Sequence, residues 1–78
     1  MQSQLVDLLH QVQQSVTEDS QYDDFLLEFV EIERLAKAMG LRKQFSKLMS
    51  EMYSAKGALA ECESDLDEFA IAVKNYVN

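Results

Sequence analysis

Four carboxylates stand in two pairs three residues apart, Glu28-x-x-Glu31 and Asp65-x-x-Glu68. Residues three apart share a helix face. Two such pairs on neighbouring helices form the kind of oxygen set that holds Mg²⁺ for phosphate hydrolysis. Asp7-x-x-His10 sets an acid and the only histidine on one face, half of a carboxylate-bridged di-metal arrangement. Cys62 is the only cysteine. It sits between Leu59 and Leu66 in an apolar row, with no His or Lys near it in sequence to lower its pKa. That reads as a small core residue and not a nucleophile.

The two acid pairs resemble those of all-α NTP pyrophosphohydrolases, and the resemblance covers these four residues alone. It implies a metal-dependent nucleotide hydrolase. Geometry opposes this reading. In a hairpin turning at Gly40, Glu28 lies opposite roughly position 52, and Asp65 falls about 20 Å further along. The di-metal reading needs a second unit on a facing helix, and His10 projects away from the stripe of Leu5, Leu9, Val12 and Val16. The expectation is therefore no enzyme, no metal and no cofactor, with the hydrolase as a third reading.

Leu35 to Leu41 is similar to the first helix and turn of a helix-turn-helix, with Ala36 four residues before Gly40. Beyond the turn the pattern departs. Ser46 stands where an apolar anchor is needed, and the following helix is too long for a recognition helix. A net charge of −7 also opposes phosphate binding. Direct nucleic-acid binding is not expected. The charges are segregated: residues 1–33 hold acids and no Lys or Arg, and residues 34–50 hold Arg34, Lys37, Arg42, Lys43 and Lys47 and no acid. Glu61, Glu63, Asp65, Asp67 and Glu68 return the chain to acidity without a Gly or turn among them, so they make no calcium loop. An acidic surface of this kind can imitate nucleic acid and block a basic groove on another protein, which is the alternative functional reading.

The elements that would carry these residues are all helical. The chain has no Pro, two Gly and 47% apolar residues, a composition that supports a core but few turns. The reading is one helical domain over 1–78, with helices at about 2–16, 21–39 and 42–76. Ser20 is the expected N-cap of the second helix, with Asp23 three residues on. Gly40 ends it and turns the chain. From Leu41 the apolar residues recur at 3-4 spacing: Phe45, Leu48, Met52, Ala55, Leu59, Cys62, Leu66, Phe69, Val73 and Tyr76. That spacing predicts a long coiled-coil-like helix packed antiparallel on its neighbour. Gly57 can bend or break it, but the row stays in phase across Gly57, which argues for continuity.

Such a helix runs about 55 Å, whereas a compact globule of this length has a diameter of roughly 30 Å. The excess needs a partner. The expectation is a homodimer forming a helical bundle, paired through residues 59–77 with Leu59, Cys62, Leu66, Phe69, Val73 and Tyr76 as its core. Met49 and Tyr53 lie one turn apart outside that row, and Leu27 and Val30 lie off the main stripe of the second helix. With Arg42, Lys43 and Lys47 as a charged rim, they are the candidate surface for another protein. The function expected is a small acidic protein-binding module: an adaptor, chaperone-like factor or inhibitor. The single cysteine, the lack of a signal-peptide pattern and the short apolar runs lead to an expected cytoplasmic location without membrane contact.

Overall fold

The computed structural model describes residues 1–76 and is all-helical over them. The first helix, α1, runs Gln2–Ser15 and buries Leu5, Leu9 and Val12, one side of a 3.6-residue period. It stops where Val16 turns extended (φ −71, ψ 131). Ser20 does not cap the next helix. It closes the loop instead, its Oγ accepting from the Thr17 N–H at 2.8 Å. The cap lies one residue later. The Gln21 N–H donates to the Asp24 carboxylate at 2.9 Å, and the Asp24 N–H donates back to the Gln21 carbonyl. A 3₁₀ turn, Tyr22–Phe25, then leads into α2, Leu26–Ala38.

Gly40 ends α2 as its type predicts. With φ +78 it lets the Leu41 N–H reach back to the Ala36 carbonyl at 2.8 Å, while its own N–H donates to Lys37 at 3.1 Å. These two bonds are the Schellman pattern. The residues that resemble a helix-turn-helix are thus accounted for by a capped corner. The third helix, α3, runs Arg42–Ser54.

The expected long helix over 42–76 does not form. The chain leaves α3 by a second Schellman pattern, in which the Gly57 N–H donates to Met52 at 2.9 Å and the Lys56 N–H to Tyr53 at 3.0 Å. Lys56 (φ 56) and Gly57 (φ 80) both take left-handed backbone, which a helix cannot continue. A 3₁₀ turn, Leu59–Cys62, leads into α4, Glu63–Lys74. The order helix, loop, 3₁₀ turn, helix therefore occurs twice.

The two loops lie side by side in an antiparallel bridge between Gln21 and Ala58. The Tyr22 N–H donates to Gly57 at 2.8 Å and the Leu59 N–H to Ser20 at 3.2 Å. This bridge holds the two halves in register. α1 packs on α4 and on α2, and α3 packs on α4 and α2. Gln2 reaches the far end of α4, where its side-chain amide donates to the carbonyls of Val73 (2.8 Å) and Lys74 (3.1 Å). It thereby satisfies two of the acceptors that a helix C-terminus leaves open.

The molecule measures 36 × 21 × 19 Å, with a radius of gyration of 11.4 Å, and its described residues hold no 55 Å helix. Every apolar position of the 41–76 row is buried or partly buried, but by the chain's own elements. Leu59, Cys62, Leu66, Phe69 and Val73, read from sequence as a dimer core, are at most 3% exposed within one chain. Tyr76 packs partly buried against them. Their burial needs no second copy, because the row folds back on itself at residues 55–58. Val77, included in the expected pairing stretch, lies outside the described residues. Phe45 and Phe69 meet edge-on across α3 and α4, with ring centroids 6.0 Å apart.

Candidate functional site

The residues with chemistry in them are not gathered. Glu31 is held on its own helix by Arg34, whose Nε donates at 2.9 Å, and this hydrogen bond lowers the Glu31 pKa. Glu68 accepts from Lys47 at 2.6 Å. Glu28 faces α1, lining a small cleft with Val12 and Phe25. His10 is exposed on α1. Among the described residues, no three His, Cys, Asp or Glu side chains lie close enough to hold a metal ion. The two acid pairs of the sequence reading are therefore not brought together.

Cys62 is 1% exposed at the start of α4. Burial pushes its thiol pKa above the ordinary 9.0, and the carboxylates of Asp65, Glu51 and Glu61 push it the same way. A buried, protonated thiol is a poor nucleophile. The folded protein should react slowly with a thiol reagent at neutral pH and rapidly once denatured; fast stoichiometric labelling of the folded chain would refute this placement. A raised folded pKa leaves stability intact below the unfolded thiol's value and erodes it as pH rises through the folded value. Cys62→Ala should accordingly remove part of the alkaline fall in stability.

What the fold does assemble is an apolar groove of about 700 Å³ where the 3₁₀ turn before α2 meets the end of α3. Tyr22 forms one wall, Met49 and Tyr53 the other, with Met52 beneath and Gly57 and Lys56 at its end. Tyr22 is fixed by its ring against Phe29, centroids 4.9 Å apart. Met52 is 3% exposed, whereas Tyr53, next in sequence, is 88% exposed. The 100° step between successive helical residues separates them: Met52 points into the core and Tyr53 out of it.

Two of the sequence candidates, Met49 and Tyr53, thus share the groove. Val30, 62% exposed, and Leu26, 47% exposed, lie outside its lining on α2. Phe25 and Glu28 open toward α1, while Tyr22 and Asp23 open toward α3. Leu26 follows Tyr22 by one turn, and Val30 follows Leu26 by another. Leu27, 84% exposed, lies further round α2 toward solvent. Leu26, missed from sequence, was legible only as one more apolar residue in a run of them. Its side of α2 depends on where α1 packs.

The basic residues separate as well. Lys47 turns to Glu68 on α4 and away from the groove. Arg42 lies on the face of α3 that carries Ser46, Met49 and Tyr53, spaced by four, three and four residues. Lys43 is on the adjoining flank. Neither makes an ion pair among the described residues, in contrast to Arg34 and Lys37, which pair with Glu31 and Glu33.

No family model, curated protein or solved structure matches this chain. Any functional reading therefore rests on the groove and its surroundings. No helix of the described residues is long and apolar enough to cross a membrane.

Proposed function

We propose that the protein is a small binding module that receives an apolar segment of another protein in the groove between the 3₁₀ turn before α2 and the end of α3. The observation that carries this reading is Tyr53. It is an aromatic side chain left 88% exposed, more than the exposed aliphatic residues Leu27 (84%), Val30 (62%) and Ile71 (57%). It stands beside Met49 in a groove whose opposite wall is the ordered ring of Tyr22. Leu26 and Val30 are further exposed apolar residues on α2, the helix that the Tyr22 turn leads into. Contiguous apolar surface on a small domain marks interaction sites. Tyr supplies broad contact area with a polar tip, and Met adapts to the shape it meets.

The test is a photo-crosslinking phenylalanine analogue placed at position 53, compared with the same analogue at His10, which is exposed on α1. Irradiation in the native host should give a discrete adduct from position 53 and none from position 10. Equal labelling from both positions, or none from position 53, would remove the groove as the binding surface. A self-adduct would identify a second copy as the partner. Tyr53→Ala should meanwhile leave the melting temperature nearly unchanged, because so exposed a ring contributes little packing.

A further inference from the structure

We propose that the occupant of this groove is an amphipathic helix of another protein, three to four turns long, with acidic residues at both ends of its apolar stripe. The inference rests on the binding-module reading and adds the chemistry of the partner. It follows from the order of side chains along α3. Read from its C-terminal side, the open face presents Lys56, Tyr53, Met49, Ser46 and Arg42. The middle is apolar or small, and each end is cationic. α3 has 13 residues, about 20 Å at the helical rise. A helix of similar length laid along it meets Met49 near the centre of its track, Tyr53 within one turn of the C-terminal end, and a positive charge at each end.

The charges at those ends are available. Lys56 lines the mouth of the groove, and among the described residues Asp23 is the only acid lining it. Arg42 and Lys43 make no ion pair among the described residues. The acid of α3, Glu51, lies on the opposite flank, where its charge reaches Cys62 and Lys47. The strip is therefore positive on a chain whose net charge is −7. A partner carrying acids is attracted locally although the molecule as a whole repels it. Such an arrangement contributes more to register and selectivity than to raw affinity. A helix fits better than an extended strand, since among the described residues the groove has a helix for its wall and no sheet edge to pair with.

The probes are two synthetic helical peptides with one apolar stripe, Leu at i, i+4 and i+7, flanked at both ends by Glu in one and by Lys in the other. Each is titrated into the isotopically labelled protein, with amide resonances followed. The Glu-flanked peptide should shift the resonances of Tyr22, Leu26, Met49 and Tyr53 and should bind more tightly. Arg42→Ser with Lys43→Ser should weaken it by about fivefold and reduce its salt dependence. Those substitutions should leave the Lys-flanked peptide unaffected or improved. Tyr53→Ala should weaken both by about tenfold.

If both peptides bind the groove equally and the double variant changes neither, the acidic-partner inference fails while the groove stands as a binding site. If neither shifts the groove residues, the inference fails with them. Adducts from position 53 in the host would then still support the binding-module reading. If the groove resonances move with protein concentration alone, a second copy is the occupant and the proposal is overturned.

Discussion

Leu66→Asp is expected to unfold the chain. Leu66 is 0% exposed in α4 and packs beneath α1, where it shares a small cleft with Val16 and Gln13. The substitution removes a fully buried Leu, a loss of about 2–5 kcal/mol by itself. It also sets a carboxylate beside a cleft whose lining, among the described residues, holds Glu63 and Asp67 and no Lys or Arg. A buried unpaired charge either costs several kcal/mol or forces the group to take up a proton. A domain of this length has roughly 4–12 kcal/mol of stability to lose. Far-UV circular dichroism at 25 °C should therefore show most of the helical signal gone. The milder Leu66→Ala should still fold but melt at lower urea. A Leu66→Asp chain that stays helical and merely becomes monomeric would show Leu66 in a seam between copies, as its sequence spacing predicts for a long helix.

The sign of a change at Gly57 separates the two architectures without ambiguity. In a continuous helix, Gly57→Ala would stabilise by about 1 kcal/mol, since Ala is the better helix former. In the observed fold it should destabilise by roughly 1–2 kcal/mol. Gly57 sits at φ +80, and an added Cβ would meet the Gln21 Oε1 at 3.3 Å and the Tyr22 Cβ at 3.5 Å. The same substitution at Gly40 is the control. Its φ is +78, but nothing lies within 4 Å of the added carbon, so only the backbone cost of about 1 kcal/mol remains.

Lys56 gives the complementary test. It is the non-glycine residue held at positive φ, in the position where helices prefer Gly. Lys56→Gly should stabilise by up to about 1 kcal/mol, less the added freedom of the unfolded chain. For a domain of this size each kcal/mol moves the melting temperature by about 4–8 °C. Thermal melts of the three variants can therefore rank them. A rise in melting temperature for Gly57→Ala would contradict the break between α3 and α4.

Helical class, the corner at Gly40 and the identity of the core follow from the sequence alone. Each rests on local physics. Periodicity decides which side of a helix is apolar, and Leu5, Leu9, Val12, Phe29, Ile32, Phe45, Leu48, Leu66 and Val73 are all buried. The conformational freedom of Gly40 decides where α2 can end. Periodicity does not decide which neighbour covers the apolar side. Met52 and Leu59 are seven residues apart, and two turns of continuous helix place them in line. A left-handed reversal at Lys56 and Gly57 also places both in the core, so the row looked unbroken when it was not.

The arrangement repeats in the sequence. Leu5, Leu9, Val12 and Val16 recur as Leu41, Phe45, Leu48 and Met52, each 36 positions on. Tyr22, Phe25, Phe29, Ile32, Ala36 and Met39 recur as Leu59, Cys62, Leu66, Phe69, Val73 and Tyr76, each 37 positions on. The first half is broken by a polar loop and the second by two residues of left-handed backbone.

The candidate site was legible in part for the same reason. Met49 and Tyr53 stand off the apolar row, and that placement is a property of one helix. Lys47 and Leu27 stand apart from the groove for reasons that belong to two helices. Lys47 reaches α4 only because the chain reverses after α3, and Leu27 faces solvent only because α1 takes the other side of α2. Local sequence sets the face of each helix through a 100° turn per residue. Tertiary structure sets what each face meets, because burial is a free energy shared between elements distant in sequence, and here the bridge between the two loops decides how those elements are joined.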